Sequence, residues 1–183
     1  LKDQLPSLFR AVGLPQNSHE EALKLLQNFT GCSLYTELVG TAELFRELPF
    51  SLTLGGAALN GVMDLLFKRL DQKWALLDYK TDDVSRNDVT ARGEAYFFQL
   101  SLYALAVRQT LGFSPHAVML YFLRPNSVLE REMSEAQLSS TREEAIELIA
   151  KIRDEEYPLN KSSRCYSCAY GSSFCKILEA HSP

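Results

Sequence analysis

Apolar positions change their period along the chain, and each change marks an element. After a turn at Pro15 and Asn17, the residues Ala22, Leu25, Leu26 and Phe29 recur at helical spacing, which predicts a helix over residues 18–31. Ser18 with Glu21 fits a capping box at its start, and Gly31 ends it. A second short helix is predicted over residues 33–42, whereas residues 7–14 mix apolar and polar groups without a clean period. From residue 45 the pattern turns to alternation. Leu48, Phe50, Leu52 and Leu54 define a strand, Gly55-Gly56 a hairpin turn, residues 58–70 a second strand and Asp71-Gln72 another turn. Residues 74–80 form a third strand, largely apolar until Asp78. Three such strands in succession predict an antiparallel meander.

Residues 81–92 hold five charged groups and almost no large apolar ones, and read as a loop. A long helix is predicted over residues 93–111, with Tyr96, Leu100, Tyr103, Ala104 and Val107 on one face and Gly112 as its C-cap. Residues 116–123 form an apolar strand closed by Arg124-Pro125, and residues 127–133 are its candidate partner. A last helix covers residues 140–155, with Ala145, Leu148, Ile149 and Ile152 inward. The order predicts an α/β fold: a central mixed β-sheet flanked by helices. Residues 1–44 are its N-terminal helical part, residues 45–156 the core, and residues 157–183 a turn-rich tail that carries cysteines.

At 183 residues the chain has length enough for one domain with a substantial core. No apolar run approaches the ~18 residues of a membrane span, and no signal-peptide pattern opens the chain, so a cytoplasmic location is expected. The first residue is Leu1, and the sequence reads as a piece cut from a longer protein. A net charge of -4 argues against a dedicated nucleic-acid-binding module, which is usually basic. The objection weakens for an enzyme whose centre needs clustered carboxylates to hold metal.

Candidate chemistry lies at the strand ends. Gly61-Val62-Met63-Asp64 is followed by Asp78-Tyr79-Lys80. A tight hairpin would bring both carboxylates to one end of the sheet, and Asp78 and Lys80, two apart on a strand, share a face. Each acid is embedded in an apolar strand, where a charge is costly unless paired or metal-bound. Two carboxylates can hold Mg²⁺ with several of its waters. The bland alternative for either Asp alone is a strand cap, with Lys80 solvated.

Those two motifs, extended by Leu77 and by Thr81-Asp82, and joined by Gln99-Leu100-Ser101-Leu102-Tyr103, resemble the PD-(D/E)xK nuclease superfamily. More narrowly, they look like the nuclease domain of RecB and AddA helicase-nucleases. Phe45-Arg46-Glu47-Leu48-Pro49-Phe50 is similar to that family's strand before the first acid. The resemblance covers roughly residues 20–125. It implies a restriction-endonuclease-like core and a Mg²⁺-dependent exonuclease, with Mn²⁺ as an alternative ion, in DNA recombination and repair. It also implies two partners: DNA, as single-stranded ends, and a helicase domain or subunit. Carried over, Asp64 and Asp78 are metal ligands together with the backbone carbonyl of Tyr79, and Lys80 is the catalytic lysine. Gln99 and Tyr103 match a Q-x-x-x-Y helix that sits beside the site and touches DNA, and their spacing puts both on one helical face. Glu47 either braces the site or is a strand-edge charge. Tyr96 and Phe97 could stack on bases, but read as core residues.

One feature departs from the family. Its members usually carry a metal-binding histidine on an upstream helix. The upstream histidine here, His19, has neighbours that do not match, and reads as an exposed helix-start residue. The family's histidine is therefore expected outside this piece, which would then bind metal weakly and cut poorly.

Cys165-Tyr166-Ser167-Cys168 is a C-x₂-C, with Cys175 close behind. Such clustering without a secretory signal favours metal over disulfides. The tail resembles the iron-sulfur staple of AddB-type nucleases, which implies a 4Fe-4S cluster with Cys32 as the candidate fourth ligand. Zinc and a ligand-free remnant are the alternatives, and Cys32 alone reads as a small buried apolar residue. Two rival functions stay open: a catalytically inactive nuclease-fold DNA-binding or structural module, and a zinc-stapled interaction domain.

Overall fold

The computed structural model describes residues 5–156. The chain divides into two compact units, Leu1–Ile146 and Glu147–Pro183. Of the second, residues 147–156 are described, and they contain the end of the last helix.

Residues that lack a visible period at the start form helix α1 (Leu5–Ala11), whose buried side chains are Leu5 and Phe9. Two apolar contacts one turn apart are too few to register as a pattern. Helix α2 (His19–Thr30) follows, but Ser18 does not cap it. A 3-10 turn over Gln16–Ser18 runs straight into the helix, so Ser18 already has helical angles (φ -95, ψ -6) and its side chain makes no capping bond. Helix α3 (Ser33–Gly40) buries Leu34 and Leu38.

The meander is present. Strands β1 (Leu44–Leu54), β2 (Ala57–Lys68) and β3 (Trp74–Lys80) pair antiparallel, with Leu48 opposite Met63 and Leu65 opposite Leu77. Helix α4 (Val89–Leu111) then crosses over to β4 (Ala117–Phe122), which lies parallel to β3. Strand β5 (Ser127–Glu132) pairs antiparallel with β4 and completes a mixed sheet in the order β1-β2-β3-β4-β5. Every residue of β4 is buried, as a strand covered on both faces requires. One sheet face packs Leu65, Phe67, Leu77, Met119 and Tyr121 against Leu34 and Leu38 of α3. The alternate residues, Leu66, Leu76 and Leu120 among them, face the other way, where α4 lies against the sheet.

Both long helices start earlier than the pattern predicts. Val89, at the head of α4, is 2% exposed, but the polar Thr90 and Arg92 mask the first turn. Gly112 ends α4 in the left-handed conformation expected of it, with φ 80. Helix α5 (Glu135–Arg153) begins at a capping box: the Gln137 N–H donates to Ser134 Oγ at 3.2 Å, and the Ser134 N–H donates to Gln137 Oε1 at 2.8 Å. Its inward set is corrected as well. Leu138, Thr141 and Ala145 are buried, whereas Leu148 and Ile152 are 41% and 58% exposed. The buried stripe belongs to the first half of the helix.

Cys32 precedes α3 and is half-buried against the core cluster of Leu34, Leu38 and Tyr121. Cys165, Cys168 and Cys175 lie outside the described residues. No helix among the described residues is long and apolar enough to cross a membrane.

Candidate active site

The β2–β3 ladder ends at Leu65 opposite Leu77, so the next position outward faces Asp64 with Asp78. Beyond it the strands part. The Tyr79 N–H finds its acceptor in the Asp64 side chain, donating to Oδ2 at 2.8 Å. Lys80 shares its strand face with Asp78, and its Nζ lies 2.6 Å from Asp78 Oδ2. Both side chains are nearly enclosed, at 12% and 7% exposure. That oxygen is fully buried, and the Lys80 ammonium is its close partner. Burial pushes the Asp78 carboxyl above its ordinary value; Lys80 opposes the rise and Asp64 adds to it. Burial and the nearby Asp64 charge push the Tyr79 phenol up to about 12.

Helix α4 closes the site from above. Gln99 Nε2 donates to Tyr103 Oη at 2.5 Å, as the one-turn spacing allows. Burial raises the Tyr103 phenol, the Gln99 bond opposes this, and the charges of Asp78 and Asp64 add to it, so the ring sits within electrostatic reach of both acids. Phe50 of β1 packs edge-on against Tyr103 with ring centroids 5.3 Å apart. The same ring covers Gly61, where a Cβ would lie 2.8 Å from its atoms. The glycine before the first acid thus makes room for the ring that supports Tyr103.

Glu47 stands opposite Asp64 on the other side of β2, between the Arg46–Leu65 and Leu48–Met63 pairs. It interrupts the ladder there with a left-handed φ of 49° and an exposed side chain. No group of three or more His, Cys, Asp or Glu among the described residues is placed to hold a metal. What the site offers is two facing carboxylates, one of them buried beside the Lys80 ammonium. Such a set fits a hard divalent cation that keeps several of its own waters.

His19 is not exposed, contrary to expectation. Its Nε2 lies 3.0 Å from the Leu14 carbonyl, and its ring packs 5.0 Å from that of Phe9, because α1 folds over the start of α2. A cavity beside it is walled by Leu5, Pro6, Phe9, Glu20 and Leu23, none of which belongs to the acid centre. A larger cavity of about 530 Å³, between Leu52, Leu105, Arg108 and Leu138, also lies away from the acids. Phe97 is core, at 5% exposure.

Pattern reading misses one cluster. Tyr96 of α4 presents its ring to Lys80, with Nζ 4.0 Å from the centroid, and its hydroxyl meets Asp82 and Arg92. The signal was there in part: Asp82 follows Lys80 by two positions, and Arg92 precedes Tyr96 by one helical turn.

The meander, the helical crossover and an acid pair with a lysine at the end of β3 define a nuclease-type α/β domain. The family model of the PD-(D/E)XK nuclease superfamily matches residues 5–176, and the chain belongs to that superfamily. It is similar to an ATP-dependent helicase/nuclease subunit from Oceanobacillus iheyensis, 24% identical over 126 residues, which are 59% of this chain and 10% of the relative. A counterpart of the same name from a Thermoanaerobacter species is 23% identical over 146 residues, 71% of this chain and 12% of the relative. The chain therefore spans about a tenth of these relatives. Among solved structures, a putative exonuclease from Eubacterium rectale superposes with a TM-score of 0.54 at 17% identity, over 93% of this chain and 65% of the other. That likeness supports the restriction-endonuclease-like fold.

Proposed function

We propose that this chain is a Mg²⁺-dependent deoxyribonuclease domain of exonuclease type, part of a RecB/AddA-type helicase-nuclease in DNA recombination and repair. The observation that carries the reading is the Asp64–Asp78 pair with Lys80, set at a fork in the sheet of a PD-(D/E)XK fold. Asp64, Asp78 and the Tyr79 carbonyl would hold Mg²⁺ or Mn²⁺. When bound, the ion supplies a more acidic water and polarises a phosphate oxygen. Lys80 brings a fixed ammonium to offset charge that develops on the phosphate. Its enclosure strengthens that effect, because little water screens it. Gln99 and Tyr103 border the acids and would guide a DNA strand past them. The names of the curated relatives support a helicase partner; single-stranded DNA ends as substrate and a cytoplasmic setting are further parts of the same proposal.

The test is a Mg²⁺-dependent cleavage assay on the full-length protein. Asp78→Ala is expected to abolish cutting while the circular dichroism spectrum stays unchanged. Equal activity in the variant refutes the assignment.

A second reading, a nuclease-fold module that binds DNA without cutting it, rests on the lack of a third His, Cys, Asp or Glu beside the acid pair among the described residues. Calorimetric titration separates the two, since a silent scaffold shows no Mg²⁺ response that depends on Asp64 or Asp78. The C-terminal thiols carry a separate proposal, a 4Fe-4S cluster or a zinc staple on Cys165, Cys168, Cys175 and a fourth ligand, supported by their spacing. The place of Cys32 against the core supports a packing role for it instead. Metal analysis with a visible absorption spectrum distinguishes iron-sulfur from zinc.

A further inference from the structure

Lys80 is the last residue of β3, and its ammonium stands at the end of a flexible four-carbon stem. Left to one carboxylate, such a group would sample several positions. Here two attractions define its place. Nζ lies 2.6 Å from Asp78 Oδ2 and 4.0 Å from the centroid of the Tyr96 ring, inside the ~6 Å range of cation–π attraction. The ring is itself anchored at its edge. Tyr96 Oη donates to Asp82 Oδ1 at 2.9 Å, Arg92 donates from Nη2 to Tyr96 Oη at 2.9 Å, and Arg92 Nε donates to Asp82 Oδ1 at 2.6 Å. These three groups close a triangle. Phe122 of β4 stands beside the ring, with centroids 6.4 Å apart. Burial tends to raise the Asp82 carboxyl, but the hydrogen bonds from Arg92 and Tyr96 together pull it below its ordinary value, so the anchor is ionised at neutral pH.

We propose that Tyr96 is the positioning residue of Lys80: the triangle with Asp82 and Arg92 fixes the ring, and the ring face holds the ammonium at Asp78. This rests on the nuclease reading of Asp64, Asp78 and Lys80, and adds to it a residue that acts through the lysine. The chain's own order makes the device compact. Asp82, two residues past Lys80, reaches up to α4 and orients the aromatic that covers the lysine.

The experiment uses the full-length protein and linear single-stranded DNA. Tyr96→Leu removes both ring face and hydroxyl, and is expected to lower kcat roughly tenfold with KM little changed. Tyr96→Phe keeps the face, and should stay within about threefold of wild type. In a Lys80→Ala background, Tyr96→Leu should have no further effect on kcat. A second readout is independent of metal and of cleavage. In NMR spectra of the metal-free protein, the Lys80 ε-methylene protons should be shifted upfield by the ring current, a shift that Tyr96→Phe keeps and Tyr96→Leu loses. Wild-type kcat in Tyr96→Leu, or a Lys80 ε-methylene shift that survives in Tyr96→Leu, overturns the positioning role. Should Tyr96→Leu not fold, the wild-type spectrum decides, because ε-protons at random-coil positions refute the contact. Full activity in Asp78→Ala would instead sink the nuclease reading, and leave the ring-current result standing on its own.

Discussion

Asp78 is buried at 5% exposure beside a like charge, and the lysine that faces it does not fully compensate. Its folded-state carboxyl lies above the ordinary value, with burial the main cause. The sign follows by linkage: the ionised form is penalised in the folded chain, so this group adds stability as pH falls through its folded value and subtracts it at neutral pH. Asp78→Asn mimics the protonated form. In EDTA at pH 7 it should therefore melt at a higher temperature than wild type, and a lower melting temperature would contradict the electrostatic picture. A residue that destabilises its own fold is what a functional site retains. The same scale explains why the acids stand out in the sequence while Tyr96 does not. A carboxylate inside an apolar strand is conspicuous by itself, whereas an aromatic on an amphipathic helix looks like core until its lysine is seen across the gap.

Among the elements, capping decides where helices begin, and two serines make the contrast. Ser18 and Ser134 each precede a helix and each have Glu or Gln three residues later, yet only Ser134 forms the reciprocal bonds. The 3-10 turn before α2 gives Ser18 helical angles, and a cap needs extended ones. Ser134→Ala should accordingly cost about 1 kcal/mol in chemical denaturation, and Ser18→Ala close to nothing. A motif of side chains cannot reveal the backbone that must present them. Strand periods carry more information: β1 alternates between buried or half-buried and exposed positions from Leu48 to Leu54 as its pattern predicts, whereas β3 is buried without a break from Ala75 to Asp78. Their pairing places Glu47, Asp64 and Asp78 on neighbouring strands in one row, a relation that spacing alone leaves open.

At the scale of the whole molecule, the mixed sheet and its crossover were legible because period two gives way to helical spacing and back again. What stayed hidden was contact between layers: the fold of α1 over His19, and the tie from Asp82 to Arg92 that joins the end of β3 to α4. That tie has a pH signature. The Asp82 carboxyl is held below its ordinary value against the cost of its burial, so it contributes stability above its unfolded value and loses it as pH falls through its folded value. Asp82→Asn should flatten the acid side of the stability curve, as measured by urea midpoints from pH 6 down to about pH 3. An unchanged curve would mean that the tie from Asp82 to Arg92 adds nothing to stability.

The parting of β2 from β3 gives the first acid a double duty. By taking up the Tyr79 N–H that the diverging strands would otherwise orphan, Asp64 seams the backbone at the spot where chemistry is placed. A truncation at this position loosens masonry and removes a proposed ligand together, so an inactive Asp64→Ala says less about mechanism than an inactive Asp78→Ala. Asn, which keeps an oxygen for that amide, is the substitution that isolates the missing charge.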